Sequence, residues 1–173
     1  MKKILIPLLG LALLASPALP AAQPAASNQT QNAALNWTTN YDQALKDSKA
    51  TGKPVVLFFT GSDWCGWCHK LEDEVLSNES FVKSLGKEYI FVKLDYPINT
   101  KLDSATEAQN KRLQAKYQIK GYPHIIVIDG DENILFTGGY AKGGGAKYAS
   151  SMKKQIDQKI AENTSKKPSN VRG

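Results

Sequence analysis

A chain of 173 residues, 42% hydrophobic and 22% charged, holds one domain with a filled core and too little material for two. Its formal net charge is +6, or +4 without Lys2 and Lys3, and part of the excess sits in Lys166, Lys167 and Arg172. No basic stripe interleaved with aromatics accompanies that charge, so no nucleic-acid partner is expected. The two cysteines, Cys65 and Cys68, are too close together to be a framework joining distant segments.

Residues 1–22 read as a signal peptide. Lys2 and Lys3 give a positive n-region, and Ile4 to Ala15 is an apolar stretch short of a comfortable bilayer span. Small residues and prolines follow, with cleavage points after Ala18, Ala21 or Ala22; the alternative is an uncleaved anchor. No cysteine lies just after the apolar stretch, so a lipoprotein anchor is not expected. Residues 23–34, rich in Ala, Gln, Asn and Pro without periodicity, read as a disordered leader. The domain is expected over 35–162 and a flexible tail over 163–173.

Asn40 caps a helix placing Tyr41, Ala44, Leu45 and Ser48 on one face; Gly52 stops it and Pro54 opens a strand. Pro54 to Thr60 is an apolar run suited to a central strand buried on both faces. The cysteine motif then opens a helix with Cys68, Leu71 and Val75 facing inward. Asn78 caps a further helix over Phe81, Val82 and Leu85, ended by Gly86, and Tyr89 to Leu94 forms a second strand. Asp95 to Asp103 is polar and broken by Pro97. Ser104 and Glu107 form a capping box for a helix through Ala108, Arg112 and Ala115. Ile125 to Ile128 is a third buried strand, turned by Asp129-Gly130 into an antiparallel Ile134-Leu135-Phe136. A last helix carries Tyr148, Met152, Ile156 and Ile160 at a strict i+4 spacing. Strands alternating with helices give an α/β sandwich around a mixed sheet.

Trp64-Cys65-Gly66-Trp67-Cys68-His69 carries the chemistry. A disulfide exchanger needs a thiolate that attacks and a second thiol that releases the mixed disulfide. Cys65 at a helix N-terminus meets unpaired N–H groups and the positive end of the dipole, which favour thiolate. Cys68, one turn inward, suits the resolving role. The same letters spell the Cys-x-x-Cys-His of a c-type haem, with His69 proximal and Met152 or His124 distal. A zinc site on Cys65, Cys68 and His69 has less support, because adjacent Cys68 and His69 diverge on a helix and no fourth ligand is evident. A redox-inactive binding module is a further alternative. Trp64 and Trp67 suit either an apolar rim for unfolded substrates or a cover for the disulfide. Gly143-Gly144-Gly145 lacks the following Lys-Ser or Lys-Thr of a phosphate loop and reads as a connection. Pro123 either starts a strand in the common trans form or marks a cis bond.

Trp64-Cys65-x-x-Cys68, Phe91-Val92-Lys93-Leu94-Asp95 and Lys116-Tyr117-x-Ile119-x-Gly121-Tyr122-Pro123, followed by a strand and Gly139, resemble the thioredoxin superfamily from about Leu35 to Ile160. Gly61-Ser62-Asp63, Gln109-Asn110-Lys111 and the run from Gly143 to Tyr148 look like the periplasmic DsbH-type reductases. The resemblance implies a thioredoxin-like three-layer α/β sandwich with a central mixed sheet. It implies that Cys65 is the nucleophile, that Cys68 resolves, and that Pro123 is cis and faces the pair. Trp64, Gly66, Trp67, Tyr122 and Pro123 would bind substrate, with the Tyr122 backbone against an extended chain. Protein or peptide disulfides are the implied substrates and a DsbD-type membrane protein the electron donor, in the periplasm, with no cofactor and a monomer expected. Reduction is preferred to oxidation, since Gly66-Trp67 places no histidine between the cysteines, and a disulfide isomerase is a further alternative. Many thioredoxins carry a buried acid six residues before the first cysteine, and here that position is Phe59. Lys93 therefore lacks that partner, leaving water or another group, with Glu72 and Asp63 as candidates, to take the Cys68 proton.

Overall fold

The computed structural model describes residues 34–166. The expected signal peptide, the leader up to residue 33 and the tail from residue 167 lie outside the described residues. The first element among the described residues is a strand the sequence does not announce, β1 (Trp37–Thr38), two residues long and paired parallel to a later strand. Next comes α1 (Tyr41–Thr51), started by the Asn40 side chain accepting from the Gln43 N–H and ended by Gly52 in the left-handed conformation at φ +74°. Glycine adopts that conformation without the Cβ penalty other residues meet.

β2 (Val55–Thr60) is wholly buried and central, as its unbroken apolar run implies. After it α2 (Gly66–Leu71) begins at the Cys65 cap, but the regular helix gives way at Glu72 to a π-helical turn, Glu72–Leu76. That turn brings both Val75 and Leu76 into the core, where the sequence pattern assigned Val75 alone. α3 (Glu79–Leu85), capped by Asn78, and β3 (Ile90–Asp95) follow. α4 (Ser104–Lys116) is capped by Asp103, whose carboxylate accepts from the Thr106 N–H. The expected Ser104 box is thus displaced by one residue, because the ionised side chain just ahead takes the free N–H. β4 (His124–Ile128), β5 (Ile134–Gly138) and α5 (Gly144–Lys166) are the last elements among the described residues. α5 continues past Glu162, where fraying was expected, and its Ile160 faces solvent rather than the core.

The sheet runs β1-β3-β2-β4-β5, parallel among the first three strands and antiparallel at β2–β4 and β4–β5. Alternation along β2 divides the core. Val56 and Phe58 face a layer built with α2, α3 and α5, whereas Val55, Leu57 and Phe59 face one built with α1 and α4. Each buried Phe, Leu or Val contributes about 1.5–3 kcal/mol of hydrophobic free energy, which is why the six buried residues of β2 make it the centre of the sheet. The three-layer sandwich with a mixed sheet is as expected. Both cysteines join the first layer, at the end of β2.

Candidate functional site

Cys65 and Cys68 form a disulfide, S–S 2.05 Å, with their Cα atoms 5.2 Å apart. Its position follows from the chain leaving β2: the Cys65 N–H donates to the Gly61 carbonyl (2.9 Å), closing a turn that aims the next residues into α2. Cys65 caps α2, and its Sγ accepts from the Cys68 N–H at 3.2 Å. A sulfur so placed faces a backbone donor and the positive end of the helix, both of which stabilise negative charge on it. Cys65 is 5% exposed and Cys68 fully buried, so a partner reaches Cys65 first. That asymmetry suits one thiol to attack and the other to resolve.

Trp64 and Trp67 surround this buried pair with exposed aromatic surface, at 44% and 55% exposure. The Trp64 indole N–H donates to the Tyr96 carbonyl (2.8 Å), and its ring meets Tyr122 edge-on at 5.6 Å. The indole folds back over Gly61, where a Cβ would stand 2.3 Å from it; only glycine admits that approach. Trp67 rests on Tyr140 (5.2 Å) beneath the Lys70 ammonium (5.3 Å). The Tyr122–Pro123 bond is cis. Gly66 is in the first position of α2 with open space where a side chain would be.

His69 points away from the cysteines. Its Nε2–H donates to the Ser62 carbonyl at 2.7 Å, as expected for the solvent side of the helix. Met152 is fully buried in the core and His124 is held by Thr137 Oγ1 at 3.0 Å, so neither is paired with His69. Half-burial of His124 pushes its imidazole below the ordinary histidine value.

Lys93 does have an acidic partner. Its ammonium binds the Glu72 carboxylate at 2.5 Å, and it lies 5.9 Å over the Phe58 ring. The register explains this: Lys93 pairs with Phe58, on the cysteine side of the sheet, while Phe59 pairs with Leu94 and faces the other layer. The acid comes from the π-helical turn following the cysteine helix, not from β2. Asp63 is differently employed. It accepts from the N–H groups of Ile98, Asn99 and Thr100, and that of Ile98 above all holds its carboxyl below the usual range. Sequence reasoning missed this use of Asp63 and the contribution of Tyr96 and Tyr140. Only the run of small and acidic residues before Trp64 hinted at a turn with side-chain caps.

A family model described as a thioredoxin-like domain matches residues 41–159. The chain is 37% identical over 122 residues to the disulfide bond reductase DsbH of Chlamydia pneumoniae, covering 70% of this chain and 73% of that protein. It is 29% identical over 124 residues to the thioredoxin-related protein DsbJ of the same organism, a match spanning 72% of this chain and 35% of DsbJ. A solved structure of a DsbH oxidoreductase superposes with a TM-score of 0.70 at 34% identity, over 83% of this chain and 95% of that one. The sheet order, the disulfide at the start of α2 and the family match agree, and the chain belongs to the thioredoxin-like family.

Proposed function

We propose that this thiol-disulfide oxidoreductase works outside the cytoplasm as a protein disulfide reductase, with Cys65 as nucleophile and Cys68 as resolving thiol. The observation that carries the reading is the unequal burial of two bonded cysteines at the head of a helix. In the dithiol form, the Cys65 thiolate attacks one sulfur of the substrate disulfide, and the other sulfur leaves as a thiolate. Cys68 then loses its proton and attacks Cys65 Sγ. The second substrate thiolate departs, and two electrons have passed to substrate as the Cys65–Cys68 disulfide forms. Trp64, Gly66, Trp67, Tyr122 and Pro123 form the surface on which an extended substrate chain lies. Glu72 takes the Cys68 proton, since Asp63 is committed to three backbone N–H groups. The likeness to DsbH supports reduction over isomerisation, and the signal-peptide pattern of residues 1–22 supports export to the periplasm. A DsbD-type membrane protein would return the electrons, and the chain acts as a monomer without a cofactor.

Equilibration with glutathione tests the direction. A reductase gives a potential near about −270 mV, whereas a value near about −120 mV overturns the reading in favour of an oxidase. Reduction of insulin without rescue of a scrambled substrate is the expected companion result; rescue without net reduction identifies an isomerase.

A further inference from the structure

The residues just ahead of Cys65 also hold a distant segment in place. The Ser62 N–H and hydroxyl donate to the two oxygens of Asp95, at 2.8 and 2.5 Å. Asp63 accepts from the N–H groups of Ile98 (2.9 Å), Asn99 (2.7 Å) and Thr100 (3.0 Å), and Trp64 donates to the Tyr96 carbonyl (2.8 Å). Segment 95–102 is thereby fixed to the stretch of backbone that carries the reactive cysteine.

A cavity of about 530 Å³ lies along this segment and α4, with Tyr96, Ile98, Asn110 and Gln114 among its walls. It adjoins the surroundings of the disulfide. The Tyr96 and Tyr122 rings lie 5.2 Å apart, the Gln114 amide donates to the Tyr122 hydroxyl (2.7 Å), and Tyr122 in turn contacts Trp64. Ile98 is 72% exposed although its backbone is tied to Asp63, two residues before Cys65. A single exposed aliphatic residue is ordinary; this one lines a cavity whose Tyr96 wall meets Tyr122, which in turn meets Trp64 next to Cys65.

The lining indicates what the cavity accepts. Asp95 and Glu107 offset Lys101 and Lys111, so no net charge selects an ion. The Asn110 amide is used on the Asp95 carbonyl and that of Gln114 on Tyr122, so these polar groups already have partners. A polypeptide joined to Cys65 by a mixed disulfide advances about 3.3 Å per residue, so its side chains extend well beyond the sulfur. A small disulfide has no such extension.

We propose that the cavity takes an apolar side chain of the substrate protein close in sequence to its disulfide-bonded cysteine, with Ile98 and Gln114 as specificity-determining residues. This rests on Cys65 acting on protein disulfides. The test uses the reduced full chain and disulfide-linked peptides carrying leucine or serine at each of the three positions on either side of the cysteine, with oxidised glutathione as the small disulfide. At one position leucine raises the second-order rate about tenfold over serine, and Ile98→Ser or Gln114→Ala cuts that preference to about twofold without changing the glutathione rate. Equal rates for leucine and serine at every position, or a preference that survives Ile98→Ser, overturns the inference. A wild-type protein that reacts with oxidised glutathione but with no peptide disulfide overturns the proposed function, and this inference with it.

Discussion

Glu72 stands four residues beyond Cys68, where the ordinary helix ends, and its carboxylate holds the Lys93 ammonium between the helix and β3. Both side chains are about a quarter to a third exposed, at 24% and 30%. Glu72→Gln keeps the shape and removes the proposed base. Decay of the mixed disulfide in single-turnover measurements should slow by on the order of tenfold to a hundredfold, while its formation by Cys65 keeps its rate. Equal slowing of both steps would make Glu72 a merely structural residue. The cysteines were legible in the sequence because two thiols one turn apart act through their spacing alone. Lys93 and its partner were not, because their meeting depends on a register that sets Lys93 beside Phe58 rather than Phe59. Counting six residues back from Cys65 reached the wrong layer of the sheet.

Among the elements, the longer strands and helices followed from apolar runs and caps: β2 from unbroken hydrophobicity, α1 from Asn40 and Gly52, and α3 from Asn78. β1 was hidden because two residues carry no periodicity and are held by pairing with Phe91 and Val92. The π-helical turn was hidden because its extra residue is stabilised by packing Val75 and Leu76 together, a tertiary effect with no local signal. The segment between β3 and α4 read only as polar and broken by proline. Its order comes from Ser62, Asp63 and Trp64, over thirty positions earlier in the chain. Asp63→Ala should therefore raise amide hydrogen exchange at Ile98, Asn99 and Thr100 by about tenfold or more, leaving β2 and β4 protected. Unchanged exchange at those three amides would mean the segment is held by something else.

At the scale of the whole molecule, the antiparallel half of the sheet places His124 at the start of β4 against Thr137 of β5. Partial burial disfavours its charged form, so the unfolded chain binds that proton more readily than the folded one. Its contribution to stability is fully present above the free-histidine value of about 6.5 and is lost as pH falls through the lower folded value. Urea midpoints should be level above about pH 6.5 and decline below it, and His124→Gln should flatten that part of the decline; an unchanged slope would assign it to the carboxylates instead. The aromatic surround of the disulfide has a mechanical consequence. Trp64 is bonded to a backbone carbonyl on a segment that is itself held down, whereas Trp67 leans on Tyr140 and on Lys70, which pairs at 3.6 Å with an exposed Glu74. In the proposed substrate surface Trp64 would therefore be the fixed side, and Trp67 the side whose charged support weakens with added salt.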